Sequence, residues 1–373
     1  MVFLQQAGDT LSCGWMKRPS AGRFLAFWHL GLLREALMRV GAMLLRRGAQ
    51  SGLRPFDPYR DFRSVVELIA VAFGDKLTPA GQASLAEMRR IARWGPLLGW
   101  LYWPRWNSVA AAPGFVWVEE GRVVGNASLR RAAERGGFFI GNVAVHPDWQ
   151  ERGIAGQLMK ASLGEIDARG GRWAGLEVRA DNQIARRLYE RLGFQEIGRT
   201  VQMLRPAGLP WVRNLPPPPP LLPRRGHRRD GARLIELVRS IVSQAHRPLL
   251  ELRRRDYQPG LERTLDLWFE GRREFWWVLE ENKVICGAAR ALRERGHRPD
   301  RLEILVALGH SGYLESVLVQ QGMVSLHGGS KKMIETVLMA PTKPLIDALK
   351  GYGFQKRCVL VQMRRSPSHS GAS

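Results

Sequence analysis

The stretch NVAVHPDWQERGIAGQLM, residues 142–159, decides how the chain is read. NVAVHP ends a strand at a proline, and a helix begins around RGIAGQLM. Gly153, Ala155 and Gly156 sit where the turn becomes the helix. Small residues there let backbone amides approach a ligand without side chains intervening. The unpaired N–H groups and dipole of a helix start favour an anion such as a pyrophosphate. Taken alone, the same feature also fits a tight packing turn.

Working outward, GLRPF reads as a strand, and YRDFRSVVELIAVAF as a helix with Val65, Leu68, Ile69, Ala72 and Phe73 on one face. Thr78 and Pro79 offer an N-cap and a proline at the first helical position, opening a helix with Leu85, Met88, Ile91 and Ala92 aligned. GFVWVEE and RVVGNASLRR form a hairpin about Gly121, and GFFIGNVAVHP follows as the next strand. The helix after the turn aligns Ala155, Leu158, Met159, Ser162 and Ile166. WAGLEVRA (strand), NQIARRLYERLGF (helix) and FQEIGRTVQMLRP (strand) complete the order β-α-α-β-β-β-α-β-α-β. Trp94, Trp100, Trp103 and Trp106 crowd one intervening loop, as a hydrophobic plug or an acceptor wall.

Gln150-x-x-Gly153-x-Ala155 fits the pattern Q/R-x-x-G-x-G/A and, with VAVHP before it and LEVRADNQIARRLYERLGF after it, resembles the GCN5-related N-acetyltransferase (GNAT) superfamily. The second block is most similar to the acetyltransferases that modify the N-terminal alanine of a ribosomal protein. The resemblance covers 52–206 by motif and 222–365 by topology. It implies an acyl-CoA N-acyltransferase fold of α/β (α+β) class: a mixed, mostly antiparallel twisted sheet flanked by helices. It also implies acetyl-CoA as cosubstrate and no metal. Carried over residue by residue, it assigns Val143, Ala144 and Val145 to the pantetheine arm. Gln150 and the amides of Glu151, Arg152, Gly153, Ile154, Ala155 and Gly156 fall to the pyrophosphate, and Asn182 to a further cofactor contact.

Tyr189 matches the family's general acid. CoA leaves as a thiolate of intrinsic pKa near ~8.5, and a phenol of pKa about 10 can hydrogen-bond or protonate it. Many relatives place a basic glutamate where this chain has Phe139. The alanine acetyltransferases use one twelve residues before the tyrosine, which here is Glu177. Alternation with Leu176 and Val178 turns Glu177 to the opposite face; an ion pair with Arg179 or another arginine is the alternative. His146 and Asn142 are fallback bases.

GFQEIGRTVQM (193–203) returns as GFQKRCVLVQM (353–363), 160 residues later. Phe115, Trp117 and Val118 return as Phe275, Trp277 and Val278, and Arg60-Asp61 as Arg229-Asp230. Three blocks in one order mark a tandem duplication. In the second copy Leu349 stands for Tyr189, Thr342 for Asn182 and Val337 for Glu177, with Glu335 close by. ILVALGHSGYLESVLVQQG offers Gly309 and Gly312 but no acetyl-CoA motif, and Tyr352 is out of register. The expected organisation is a helical extension (1–50), a catalytic domain (51–206), a Pro-rich linker (207–223), a degenerate domain (224–368) that does not turn over, and a tail (369–373). The repeat itself reads as strand packing.

Length suits two cores. The net charge of +23 rests on 48 arginines and nine lysines spread along the chain. That surplus attracts anions, but its dispersal favours solvated faces over a nucleic-acid partner. Cys13, Cys286 and Cys358 are widely spaced and fit a reducing cytoplasm rather than a disulfide framework. No apolar run reaches the ~18 residues a membrane span needs. The expected partner is an amine acceptor, a small molecule or a peptide or protein N-terminus. The expected assembly is a monomer with pseudo-dimeric halves or a homodimer. A non-catalytic acyl-CoA-sensing or nucleic-acid-associated module is the alternative.

Overall fold

A computed structural model describes residues 51–74, 77–93, 114–210, 221–250, 254–260, 264, 267, 271–327 and 332–366. The 1–50 extension, the tryptophan cluster, most of the polyproline run and the extreme C-terminus lie outside the described residues. The first half runs β1 (Gly52–Pro55), α1 (Pro58–Phe73), α2 (Pro79–Arg93), β2 (Phe115–Glu119), β3 (Arg122–Arg131), β4 (Gly137–Val145), α3 (Ile154–Ala168), β5 (Trp173–Arg179), α4 (Gln183–Arg191) and β6 (Gln195–Arg205). This is the order that periodicity predicts. The second half runs β7 (Arg224–Arg225), α5 (Gly231–Ile241), α6 (Arg247–Leu250), β8 (Arg273–Glu281), β9 (Val284–Arg293), β10 (Asp300–Val306), α7 (Glu315–His327), β11 (Ile334–Leu338), α8 (Lys343–Gly351) and β12 (Gln355–Arg365).

Local chemistry starts the helices. Asp57 accepts from the amides of Tyr59 and Arg60, and Pro58 opens α1. Thr78 caps α2 by accepting from the Gly81 amide at 3.1 Å. The aspartate of the repeated Arg-Asp block is buried and ties the first strand to the first helix. Asp61 takes both guanidinium nitrogens of Arg54 at 2.6 and 2.7 Å. Asp230 takes Arg224 the same way at 2.8 and 2.9 Å. Removing one partner of such a pair typically costs about 3–5 kcal/mol.

All twelve strands form one sheet in the order β1-β2-β3-β4-β5-β12-β6-β11-β10-β9-β8-β7. The last strands have changed places. β12 lies between β5 and β6, antiparallel to both, while β6 lies against β11. Each half therefore completes its sheet with the other's final strand. On β12, Leu360, Val361, Gln362 and Met363 are all buried, as a central strand covered on both faces requires. Val361 and Met363 pack with Met159, Leu176, Val178 and Tyr189 of the first half. Val201 and Met203 of β6 pack instead with Leu314, Leu318 and Leu349 of the second. The GFQ…VQM repeat is thus the seam of the molecule. The segment 242–250 crosses the same seam, and Leu249 packs on Phe139 and Trp173.

Candidate active site

β4 and β5 pair in parallel only at Gly137–Phe139 with Trp173–Gly175. Beyond that they part. The β3–β4 register also slips between Asn126 and Ser128, and Asn142 takes φ 50°. Buried Asn126 holds the distortion by donating from Nδ2 to the Asn142 carbonyl at 2.9 Å and to Ser128 Oγ at 3.2 Å. Freed backbone on β4 and β5 opens a cleft of about 1270 Å³ through the sheet. Leu176 and Val178 line it from one face of β5, and Glu177 lines it from the other.

Val143, Ala144, Val145, Gln150, Glu151, Gly153, Ile154, Ala155, Gly156, Glu177, Asn182 and Tyr189 all line this one cleft. Arg152 does not line it. Its guanidinium lies over the Trp149 ring at 4.5 Å and donates to the Asp148 carbonyl, which leaves only its backbone amide toward the turn. Gln150 Nε2 ties the turn to the Val145 carbonyl at 3.3 Å. Gly153 precedes α3 at φ 77°, and a Cβ built there meets nothing within 4 Å. Among the described residues, the first amide of α3 to find a backbone partner is that of Gln157, on the Gly153 carbonyl at 3.2 Å. The amides before it are left at a helix start with open space in front of them. An anionic diphosphate fits that arrangement. Asn182 caps α4 through its side-chain oxygen, accepting from the Ala185 amide at 3.2 Å.

Tyr189 is 6% exposed and packs 6.1 Å from Phe194, and its phenol makes no hydrogen bond among the described residues. Burial pushes its phenol up to about 12, so it holds its proton at neutral pH. Glu177 is half-buried, and its Oε1 accepts from Gln362 Nε2 at 2.8 Å. The alternative ion pair with Arg179 is not formed: that guanidinium holds Asp181 at 2.6 and 2.9 Å. His146 is outside the cleft lining and uses Nδ1 to accept from the Asp148 amide at 3.4 Å. Asn142 lines the cleft, with its carbonyl engaged by Asn126. At Phe139, where a glutamate is expected in many relatives, the ring stands edge-on to Trp173 at 5.5 Å beneath Arg130 and Leu249.

Residues 82–194 match the profile of the Acetyltransferase (GNAT) family. They form a GNAT domain. The ribosomal protein bS18-alanine N-acetyltransferase of Salmonella typhimurium is 47% identical over 55 residues, 15% of this chain and 37% of that enzyme. The Haemophilus ducreyi enzyme of the same name is 33% identical over 81 residues, 22% of this chain and 54% of its own length. The chain therefore spans only about a third to a half of these relatives. Among solved structures, a GCN5-related N-acetyltransferase from Sphaerobacter thermophilus superposes with TM-score 0.55 at 17% identity, over 84% of this chain and 95% of that one. A tandem GNAT protein from the clavulanic acid biosynthesis pathway gives 0.52 at 15% identity, over 85% and 99%. Coverage of that extent places the tandem GNAT fold across both halves.

The second GNAT-like half keeps the splay, since β10 and β11 pair only at Asp300–Ile334 and Arg301–Glu335. Its helix start is different. Glu315, 2% exposed, accepts from the Gly312 amide with both oxygens at 2.9 and 3.0 Å and from Ser311 Oγ at 2.9 Å. A carboxylate of the chain itself is folded back onto this turn. Leu349 is fully buried at the Tyr189 position, and Thr342 caps α8 as Asn182 caps α4. Val337 sits where Glu177 would be, paired with Gln202. No sequence spacing points to Leu249, Leu360 or Gln362, although the first two line the cleft and the third binds Glu177. All three come from the second half across the strand exchange.

Proposed function

We propose that the first half moves an acetyl group from acetyl-CoA to a primary amine by direct attack, with Glu177 as base and Tyr189 as acid, and that the second half does not turn over. The observation that carries this is the through-sheet cleft, with Glu177 on one side of the β4–β5 split and Tyr189 and the open helix start on the other. The residues from Val143 to Gly156 and Asn182 would hold the cosubstrate, which supplies the activated thioester carbonyl. Glu177 takes the proton of the amine as nitrogen bonds to the carbonyl carbon. Tyr189 hydrogen-bonds to the sulfur as the carbon–sulfur bond breaks and passes it a proton, which it regains from solvent, leaving an amide and the free thiol. A phenol near 12 and a thiol near ~8.5 differ by about 5 kcal/mol in proton affinity, so a hydrogen bond to the nascent thiolate is the larger part of its role.

An α-amine near pKa ~8 loses its proton at pH 7 for about 1.4 kcal/mol, whereas a lysine near ~10.4 needs about 4.6 kcal/mol. A single half-buried carboxylate suits the former. The acceptor is therefore a peptide or protein N-terminus or a small amine of low pKa, in keeping with the named activity of the bS18-alanine relatives. A cytoplasmic setting fits the free, buried Cys286 and Cys358. Thiol release from acetyl-CoA against a panel of amines tests the reading. Stimulation by α-amines and its loss in Tyr189→Phe are expected. Thiol release with lysine ε-amines alone would sink the acceptor class, and acetyl-CoA binding without release for any amine would make the chain a sensor.

A further inference from the structure

The exchanged strand does more than close the sheet. At one level of the sheet, Glu177 of β5 pairs with Gln362 of β12, which pairs with Gly198 of β6. Directly opposed residues share a face, so Gln362 projects beside Glu177, on the side of β5 away from Tyr189's cluster. Gln362 is fully buried and spends both amide hydrogens, one on Glu177 Oε1 at 2.8 Å and one on Thr200 Oγ1 at 3.0 Å. The third place in the row has no side chain of its own. A Cβ at Gly198 would fall 2.5 Å from Nδ1 of His246, whose imidazole fills that space and lies against the Gln362 side chain. Gln362 is thus boxed in by Thr200 and His246 and has one direction left for its remaining N–H.

The duplication supplies an internal control. Gln202 is the counterpart of Gln362, 160 residues earlier, on the strand given to the second half. It faces Val337, and its Oε1 accepts from Cys358 Sγ at 3.1 Å. The same residue in the same register therefore meets a carboxylate only in the half that has Tyr189. A glutamate on a strand has rotamer freedom to lose when it is held in one place. An anchor on Oε1 removes that freedom before the acceptor arrives, and the Glu177 carboxylate accepts no other hydrogen bond among the described residues.

We infer that Gln362, carried on the strand the second half gives to the first, is a positioning residue of the acetyl-transfer site, holding Glu177 in the cleft for the acceptor amine. The inference rests on Glu177 being the base. It is tested in the full chain by steady-state thiol release, using a hexapeptide with N-terminal alanine and a panel of small amines, with the best acceptor carried forward. Gln362→Met keeps the volume and removes the donor. It is expected to lower kcat about ten-fold, the worth of one charge-assisted hydrogen bond, with the KM for acetyl-CoA within two-fold of native. In a Glu177→Gln background the same change is expected to lower kcat no further, a result that a merely structural role would not give. Gln202→Met, the control, is expected to leave kcat unchanged. If Gln362→Met folds poorly, Thr200→Val, which releases only the far side of the amide, is expected to lower kcat about three-fold by the same route. Native kcat in a folded Gln362 or Thr200 variant, or an equal loss in the Glu177→Gln background, overturns the positioning role while leaving Glu177 as base. Native kcat in Glu177→Gln overturns both, as does the absence of thiol release with every amine.

Discussion

The turn before α3 and the turn before α7 are copies of one feature, and they differ in what meets the helix start. Before α3 the amides face open space over Gly153. Before α7 the Gly312 amide is taken by both carboxylate oxygens of Glu315. Both halves retain the splayed strands. The splay therefore belongs to the architecture both halves share, and what differs is a few atoms at the turn into the helix.

The comparison can be broken most severely at Tyr189. Tyr189→Phe is expected to reduce kcat by about a hundred-fold or more with acetyl-CoA affinity unchanged, and Leu349→Tyr in the second half is expected to restore none of it. Stopped-assay thiol release checks both. Next comes the seam. Met363→Ala leaves a hole between β12 and the first-half core and is expected to cost about 2–5 kcal/mol in urea unfolding. Unfolding of the first half alone, with the second half intact, would argue that the exchanged strands do not couple the two. Opening the closed turn with Glu315→Ala is expected to cost about 1–3 kcal/mol, because buried donors lose their acceptor, without creating acetyl-CoA binding. The smallest effect concerns His246. Burial holds its imidazole below the usual 6.5 against a raising contact from Gln362, so the folded chain keeps it neutral while the unfolded chain protonates it. Its influence on stability is absent above about pH 6.5 and destabilising as pH falls below it. Melting temperatures measured from pH 7.5 to 5 should fall less steeply in His246→Gln than in the native chain.

Much of this was legible before the structure. The turn at 150–156, Tyr189 and Glu177 belong to short contiguous motifs, and alternation alone placed Glu177 opposite Leu176 and Val178. The strand exchange was not legible, for a physical reason. β6 and β12 carry the same Val-Gln-Met pattern at the same spacing, so either strand presents an acceptable face to either half. The repeat that revealed the duplication hid the swap. Nothing in the sequence marks Gln362, because its partner lies 185 residues away. The loss of the cofactor motif before α7 was visible, but the carboxylate folded back into that turn was not, because Glu315 reads as an ordinary first-turn acid. Arg152 was expected beside the turn, and its stacking on Trp149 follows from neighbours that motif matching does not weigh.

The central claim is that one chain holds one working acetyl-CoA site, in the first half. Isothermal titration of the full chain with acetyl-CoA tests it most directly, run beside Gly153→Asp, which sets a carboxylate at the open helix start. The account predicts one molecule bound per chain, and none in the variant. Two molecules per chain, or one that survives Gly153→Asp, would contradict it.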